Sequence, residues 1–80
     1  MGIYIGELLN RIRFDKNWKP EEFSIVYYDR IHQKNFEVQF ASMGRDGNFF
    51  TITVNNRIAH IPLHRIREVK RSGKVIWKRD

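Results

Sequence analysis

The chain has 80 residues, of which 41% are hydrophobic and 14% aromatic, and it contains no cysteine. These values exclude a disordered chain, a disulfide-stabilised fold and a thiolate metal site, and the length predicts a single domain over residues 1–80. The net charge is +6, no apolar stretch is long enough for a signal peptide or a membrane span, and we expect a cytoplasmic protein with no membrane partner.

The N-terminal segment predicts a short amphipathic helix over residues 5–13. Four apolar residues follow the i, i+3, i+4, i+7 spacing of one helix face: Ile5, Leu8, Leu9 and Ile12. Arg11 and Arg13 flank this apolar stripe. The following stretch, FDKNWKPEEF, contains Pro20 and mixed charges, so we expect it to be a loop.

From Phe23 onwards the pattern changes to the period of two that is typical of β-strands. The stretch FSIVYYD is rich in β-branched and aromatic residues and predicts the first strand. The stretch NFEVQFAS alternates apolar and polar residues and predicts the second. Its inner face would consist of Phe36, Val38 and Phe40. We expect the next stretch, MGRDGN, to be a turn.

The middle of the chain predicts a β-hairpin. FFTITV and RIAHIPL are joined by Asn55 and Asn56, and asparagine tolerates the left-handed backbone conformation of a two-residue turn. In this register Val54 lies opposite Arg57, and His60 lies opposite Thr51. The inner face of the hairpin would consist of Phe50, Ile52, Ala59 and Ile61.

The C-terminal segment has two interpretations. Pro62 suits the first residue of a helix and Gly73 suits its end. Leu63, Ile66 and Val69 would then line one side of this helix. The stretch VKRSGKVIW instead suits a hairpin that turns at Ser72-Gly73. We favour a short turn around residues 62–65 followed by this hairpin.

Together these elements predict an α+β fold. One short N-terminal helix would pack on a strongly bent, mostly antiparallel sheet of five or six strands, or on a partly closed small barrel, which would hide the sheet edges.

The histidines do not form a recognisable metal site. His60 and His64 are four residues apart, but Pro62 lies between them and is poorly tolerated inside a helix. We therefore expect no metal and no cofactor. The two-histidine signature of cyclic phosphodiesterases has Ser or Thr two residues after each histidine, whereas Lys34, Pro62 and Ile66 occupy these positions here. A nuclease-like pairing of His60 with His64 remains an alternative.

The charge distribution favours a phosphate-bearing partner. Residues 61–80 hold seven Lys or Arg and two acidic residues, a formal charge of +5. Such a concentrated basic patch favours nucleic acid. Arg65 and Arg67 follow the proline turn and offer planar forks to phosphate oxygens. Aromatic residues are available to stack on bases: Trp18, Tyr27, Tyr28 and Trp77.

Two long stretches, LLNRIRFDKNWKPEEFSIVYYDR and IPLHRIREVKRSGKVIWKRD, resemble a family of small, mostly archaeal proteins described as an RNA cyclic-group end-recognition domain. The resemblance covers nearly the whole chain and is weakest over residues 32–57. Its most specific part is a Pro-x-His-Arg-Ile pattern, followed by a glycine and an Ile-Trp pair. These residues are Pro62, His64, Arg65, Ile66, Gly73, Ile76 and Trp77. The YDR block, with Asp29 and Arg30, supports the resemblance.

The resemblance implies a module that binds RNA 3′ ends carrying a 2′,3′-cyclic phosphate, in RNA repair or processing. It also implies RNA ligase-type or phosphodiesterase-type enzymes as partners, and it implies no catalytic residue. The predicted RNA- and phosphate-binding residues are His64, Arg65, Arg67, Arg30, Asp29, Arg11, His60, Lys70 and Trp77. Two alternatives remain: a weak cyclic phosphodiesterase or nuclease that uses His60 and His64, and a basic protein-interaction domain.

Overall fold

A computed structural model of the protein describes residues 4–79, which form one α-helix and seven β-strands. The elements in chain order are α1 (Ile5–Phe14), β1 (Phe23–Asp29), β2 (Lys34–Gln39), β3 (Gly44–Asp46), β4 (Phe49–Val54), β5 (Arg57–Pro62), β6 (Ile66–Arg71) and β7 (Lys74–Lys78). Three short 3₁₀ helices connect them: Pro20–Glu22, Phe40–Ser42 and Leu63–Arg65, the last called the 63–65 turn below. The predicted α+β class is confirmed.

The strands form two antiparallel sheets. The four-stranded sheet has the order β2-β1-β6-β7, and the three-stranded sheet has the order β3-β4-β5. Within residues 4–79 the sheets do not close into a barrel. The antiparallel strands agree with the prediction, and the structure divides them between two sheets, with the 63–65 turn carrying the chain from the edge of one sheet into the other.

Helix α1 forms as the spacing predicts. Its four apolar stripe residues are at most 4% exposed. Glu7 lies in the first turn and Arg11 and Arg13 in the last, which is the favourable arrangement for the helix dipole. The stripe lies in one hydrophobic core with Phe50 and Ile52 of β4, against which Ala59 and Ile61 pack.

The two predicted hairpins are confirmed. In the first, Val54 pairs with Arg57 and Thr51 pairs with His60, and the turn residues Asn55 and Asn56 have φ values of 51° and 65°. The second turns at Ser72-Gly73 with φ values of 50° and 83°. The last segment is thus the turn and hairpin that we favoured, not a helix.

The segment between β2 and β4 differs from its prediction. Strand β2 ends at Gln39, and Phe40 begins a 3₁₀ helix while remaining 4% exposed in the core. The stretch expected to be only a turn contains β3, in which Gly44 pairs with Thr51 of β4. A Cβ atom at position 44 would lie 2.5 Å from Oγ1 of Thr51, so glycine allows this close pairing.

Candidate functional site

A cleft of about 330 Å³ lies between the two sheets. It is bounded by the end of β1, by β4 and β5, and by the 63–65 turn. We call it the inter-sheet cleft. Its lining residues are Tyr27, Tyr28, Asp29, Arg30, Ile31, Ile52, Val54, Ala59, His60, Ile61, Pro62 and Arg65. An apolar depression with a few polar groups converging on it is the usual form of a small-ligand site.

Arg65 contributes an arginine without a partner to this cleft. Within residues 4–79 its guanidinium takes part in no hydrogen bond, ion pair or ring contact. The turn that carries it is held by Arg79, whose Nε donates to the carbonyl oxygen of Ile66 at 2.9 Å and whose Nη2 donates to that of Leu63 at 3.4 Å. These bonds hold the backbone that carries Arg65, and the N–H groups of its guanidinium are available to bind an anion.

Asp29 and Arg30 reach the same cleft from the end of β1. Oδ1 of Asp29 accepts the main-chain N–H groups of Ile31 at 2.8 Å and His32 at 2.9 Å, and Oδ2 lies 3.2 Å from Nδ1 of His32. These hydrogen bonds, first that of the His32 amide, hold the pKa of Asp29 below its ordinary value. Arg30 is exposed and has no ion pair in the described part of the chain.

Two tyrosines form part of the cleft wall. Tyr27 is 7% exposed, and its ring packs edge-on against Phe50 at 5.4 Å. Burial, and then the charge of Asp29, raise the pKa of its phenol. Tyr28 is only half-buried, and Cζ of Arg67 lies 5.5 Å from its ring centroid. This pair is a candidate stacking platform for a base at the edge of the cleft.

The structure separates the two histidines. His60 lines the inter-sheet cleft, and its Nε2 lies 3.6 Å from Oδ2 of Asp46. His64 lines a second cavity of about 280 Å³. The other residues around that cavity are Tyr4, Ile5, Asn48, Leu63 and Arg79. The geometry therefore gives no support to the alternative in which His60 and His64 act as base and acid on one phosphate.

Arg11 lies outside both cavities. Its Nε lies 3.4 Å from Oδ2 of Asp15, and its Cζ lies 4.3 Å from the ring centroid of Trp18. Trp77, also predicted to contact RNA, packs against the core, and Cζ of Arg79 lies 5.1 Å from its ring centroid. The structure does not bring these predicted site residues to the inter-sheet cleft.

Lys70 is likewise remote from the cleft and has an acidic partner. Its Nζ donates to Oε1 of Glu37 at 3.1 Å, and Oγ of Ser24 donates to Oε2 at 2.7 Å. The hydrogen bond from Ser24, followed by that from Lys70, holds the pKa of Glu37 below its ordinary value. The predicted residues that the cleft does bring together are Asp29, Arg30, His60 and Arg65.

The apolar part of the cleft was not predicted from the sequence. Ile31 is 88% exposed and Val54 is 49% exposed, although both line the cleft. The hairpin register could have indicated Val54, because Val54 follows Phe50 and Ile52 on the inner face of β4. Ile31 follows the YDR block and has no periodic pattern around it.

No three His, Asp or Glu side chains within residues 4–79 are arranged to hold a metal ion. In the same part of the chain, no helix has the length and apolar character that a membrane span requires.

Comparison with known proteins identifies the family. Residues 4–79 match the family described as MJ1316 RNA cyclic group end recognition domain. A UPF0248 protein of Methanocaldococcus jannaschii is 30% identical over 83 aligned positions, which cover 99% of each chain. One from Thermococcus sibiricus is 32% identical, covering 95% of this chain and 85% of the relative. No solved structure matches significantly. The chain therefore belongs to the MJ1316 RNA cyclic group end recognition domain family.

Proposed function

We propose that this protein binds RNA at its 3′ end and takes a terminal 2′,3′-cyclic phosphate into the inter-sheet cleft. The family description supports RNA cyclic ends as the ligand class. The observation that carries the proposal for this chain is the guanidinium of Arg65, which lines the cleft and has no partner among the described residues.

The chemistry of a cyclic phosphate suits the groups in the cleft. This end is a phosphodiester with a single negative charge and no free terminal 2′-hydroxyl. Arg65 offers the planar fork that matches two phosphate oxygens, and Arg30 adds a second cation at the mouth. Tyr28 provides an aromatic face for the terminal base. The apolar wall would contact the sugar.

The proposal extends to the biological setting. We place the protein in the cytoplasm, as a single domain acting in RNA repair or processing beside RNA ligase-type or phosphodiesterase-type enzymes. Binding without catalysis is the simpler role, because the cleft holds one histidine and that histidine faces Asp46.

A competition experiment tests the proposed function. Two otherwise identical oligoribonucleotides, one ending in a 2′,3′-cyclic phosphate and one in hydroxyls, compete for the wild-type protein. We expect the cyclic end to bind about ten- to a hundredfold more tightly, the range for a charge-assisted hydrogen bond. Arg65→Ala should remove most of this difference. Lys16→Ala, which removes an exposed cation that does not line the cleft, should leave the ratio of the two affinities unchanged.

Three outcomes would overturn this proposal. Equal affinity of the wild-type protein for the two ends would defeat end recognition. Opening of the cyclic phosphate during the assay would make the protein an enzyme, and a lack of any RNA binding would favour the protein-interaction alternative.

A further inference from the structure

A carboxylate lies among the cations of the inter-sheet cleft. Asp29 lines the same cleft as Arg30 and Arg65. A fixed negative charge there lowers the affinity for every anion, including a phosphate. The position of Asp29 therefore needs a reason beyond simple phosphate binding.

The local fold does not require this charge. Oδ1 of Asp29 accepts the N–H groups of Ile31 and His32, which closes the turn after β1. The side-chain carbonyl of asparagine can also accept such bonds, although more weakly than a carboxylate, and both residue types are common in these turns. The negative charge is therefore available for a role in ligand selection.

Asp29 offsets part of the positive charge of the cleft. Two guanidiniums and one carboxylate line it, which gives a formal charge of +1. The remaining imidazole, that of His60, has its own acidic neighbour in Asp46 at 3.6 Å. A cyclic phosphate carries one negative charge, whereas a terminal phosphomonoester carries about −1.5 to −2 at neutral pH.

We propose that Asp29 is a specificity-determining residue that lowers the affinity of the cleft for dianionic phosphomonoester ends more than its affinity for monoanionic phosphodiester ends. This inference rests on the proposed function, because it assigns Asp29 a role at the same end-binding site. It concerns a different distinction, between two phosphorylated ends rather than between a phosphate and a hydroxyl.

The surroundings keep Asp29 ionised. The hydrogen bonds from the following turn hold its pKa low, so it is charged at neutral pH. Arg30 and Arg65 line the same cleft, and Nδ1 of His32 in the turn lies 3.2 Å from Oδ2 of Asp29. The phenol of Tyr27 has a raised pKa and adds no charge. Because the site is open to solvent, we expect a discrimination of about fivefold, the upper end for exposed charge pairs.

The test uses one oligoribonucleotide with three different phosphorylated 3′ ends: the 2′,3′-cyclic phosphate, the linear 3′-monophosphate and the 3′-phosphate methyl ester. The methyl ester is linear like the monophosphate but monoanionic like the cyclic phosphate. Affinities are measured for the wild-type protein and for Asp29→Asn, which keeps the acceptor of the turn. Glu37→Gln makes the same carboxylate-to-amide change outside the cleft.

For the wild-type protein we expect the cyclic and methyl ester ends to bind alike, because both carry one negative charge. Asp29→Asn should raise the affinity for the monophosphate, relative to the other two ends, by about fivefold, whereas Glu37→Gln should leave the ratio unchanged. Unequal binding of the cyclic and methyl ester ends, or an unchanged ratio in Asp29→Asn, would overturn the inference. A competitor that ends in hydroxyls tests the proposed function separately. Neither the hydroxyl end nor the cyclic end carries a doubly charged phosphate, so their relative affinity does not depend on how the cleft distinguishes one phosphate charge from two.

Discussion

His64 and Arg65 are adjacent in the chain, yet they line different cavities on the two sides of the 63–65 turn. The turn is a 3₁₀ helix, in which three residues complete one revolution and neighbours point in different directions. The sequence motif that contains both residues therefore does not correspond to a single anion pocket. Arg65 belongs to the inter-sheet cleft, and His64 belongs with Arg79 on the other side.

The first prediction separates these two neighbours. His64→Ala should leave the preference for a cyclic over a hydroxyl end unchanged, because its imidazole does not line the inter-sheet cleft. The measurement is the same competition assay that tests Arg65→Ala. A His64→Ala protein that loses the preference as completely as Arg65→Ala would contradict this assignment of the two side chains.

The second prediction concerns base stacking on Tyr28. Tyr28→Ala should weaken RNA binding by about 1–3 kcal/mol, the usual value of one stacked base, and should affect cyclic and hydroxyl ends alike. Tyr28→Phe keeps the aromatic face and should retain most of the affinity. Affinities from fluorescence anisotropy check both variants. A loss in Tyr28→Phe as large as in Tyr28→Ala would show that the hydroxyl, not the ring, carries the contact.

The third prediction is the dependence of RNA affinity on salt. If three or four cations contact phosphates, the slope of log affinity against log salt should be about −2 to −3, since each contact to a single strand contributes about 0.7. Titrations at several salt concentrations measure this slope. Arg30→Ala should make it shallower by about 0.7, and the remote Lys16→Ala should leave it unchanged. A flat response would indicate that phosphates are not contacted.

The fourth prediction tests the packing of α1. Leu9 is 2% exposed in the core, so Leu9→Ala should lower the free energy of unfolding by about 2–5 kcal/mol. Ile31 is 88% exposed, and Ile31→Ala should change this free energy by less than about 0.5 kcal/mol. Urea unfolding monitored by tryptophan fluorescence gives both values. Similar losses in the two variants would contradict the burial of Leu9.

The fifth prediction concerns acid stability. The folded pKa of Glu37 lies below its ordinary value of 4.5, chiefly because Ser24 donates a hydrogen bond to the carboxylate. The ionised carboxylate therefore stabilises the fold above pH 4.5, and this contribution is lost as the pH falls through the folded pKa. Glu37→Gln lacks this titration.

Unfolding of the wild-type protein and Glu37→Gln across the acidic range checks this prediction. The wild-type advantage should be present near neutral pH and should shrink as the solution becomes more acidic than the ordinary pKa of Glu37. Ser24→Ala should reduce the pH-dependent part, because it removes the largest cause of the shift. A constant difference between the two proteins at all pH values would contradict the assignment.

Much of the fold was predictable because the apolar residues that recur at helix or strand spacing in the sequence are largely the ones buried in the structure. The stripe from Ile5 to Ile12 is buried, and the register of the hairpin at Asn55-Asn56 follows from the turn alone. Strand β3 was not predictable, because three residues that include Gly44 carry no strand pattern. They form a strand only because β4 supplies a partner, which is a tertiary effect on a weak local preference.

The lining of the inter-sheet cleft was predictable in part. Charge and motif identified Arg65 and the Asp29-Arg30 pair, and the structure places all three around one cleft. The sequence did not show that two sheets meet there, so the apolar wall was missed. The partner of Lys70 was also not predictable. Its positive charge suggested a phosphate contact, and the fold pairs it with Glu37, which lies 33 positions earlier in the sequence.

The bonds from Arg79 to the 63–65 turn have a practical consequence for labelling the protein. The main-chain N–H of Arg79 also donates to the carbonyl oxygen of Arg67 at 2.8 Å. Hydrogen bonds therefore connect the end of β7 to the backbone that carries Arg65. We expect a fluorophore or tag attached directly beside Arg79 to disturb ligand binding. The exposed turn at Ser72-Gly73 is not part of the cleft lining and is the better attachment point.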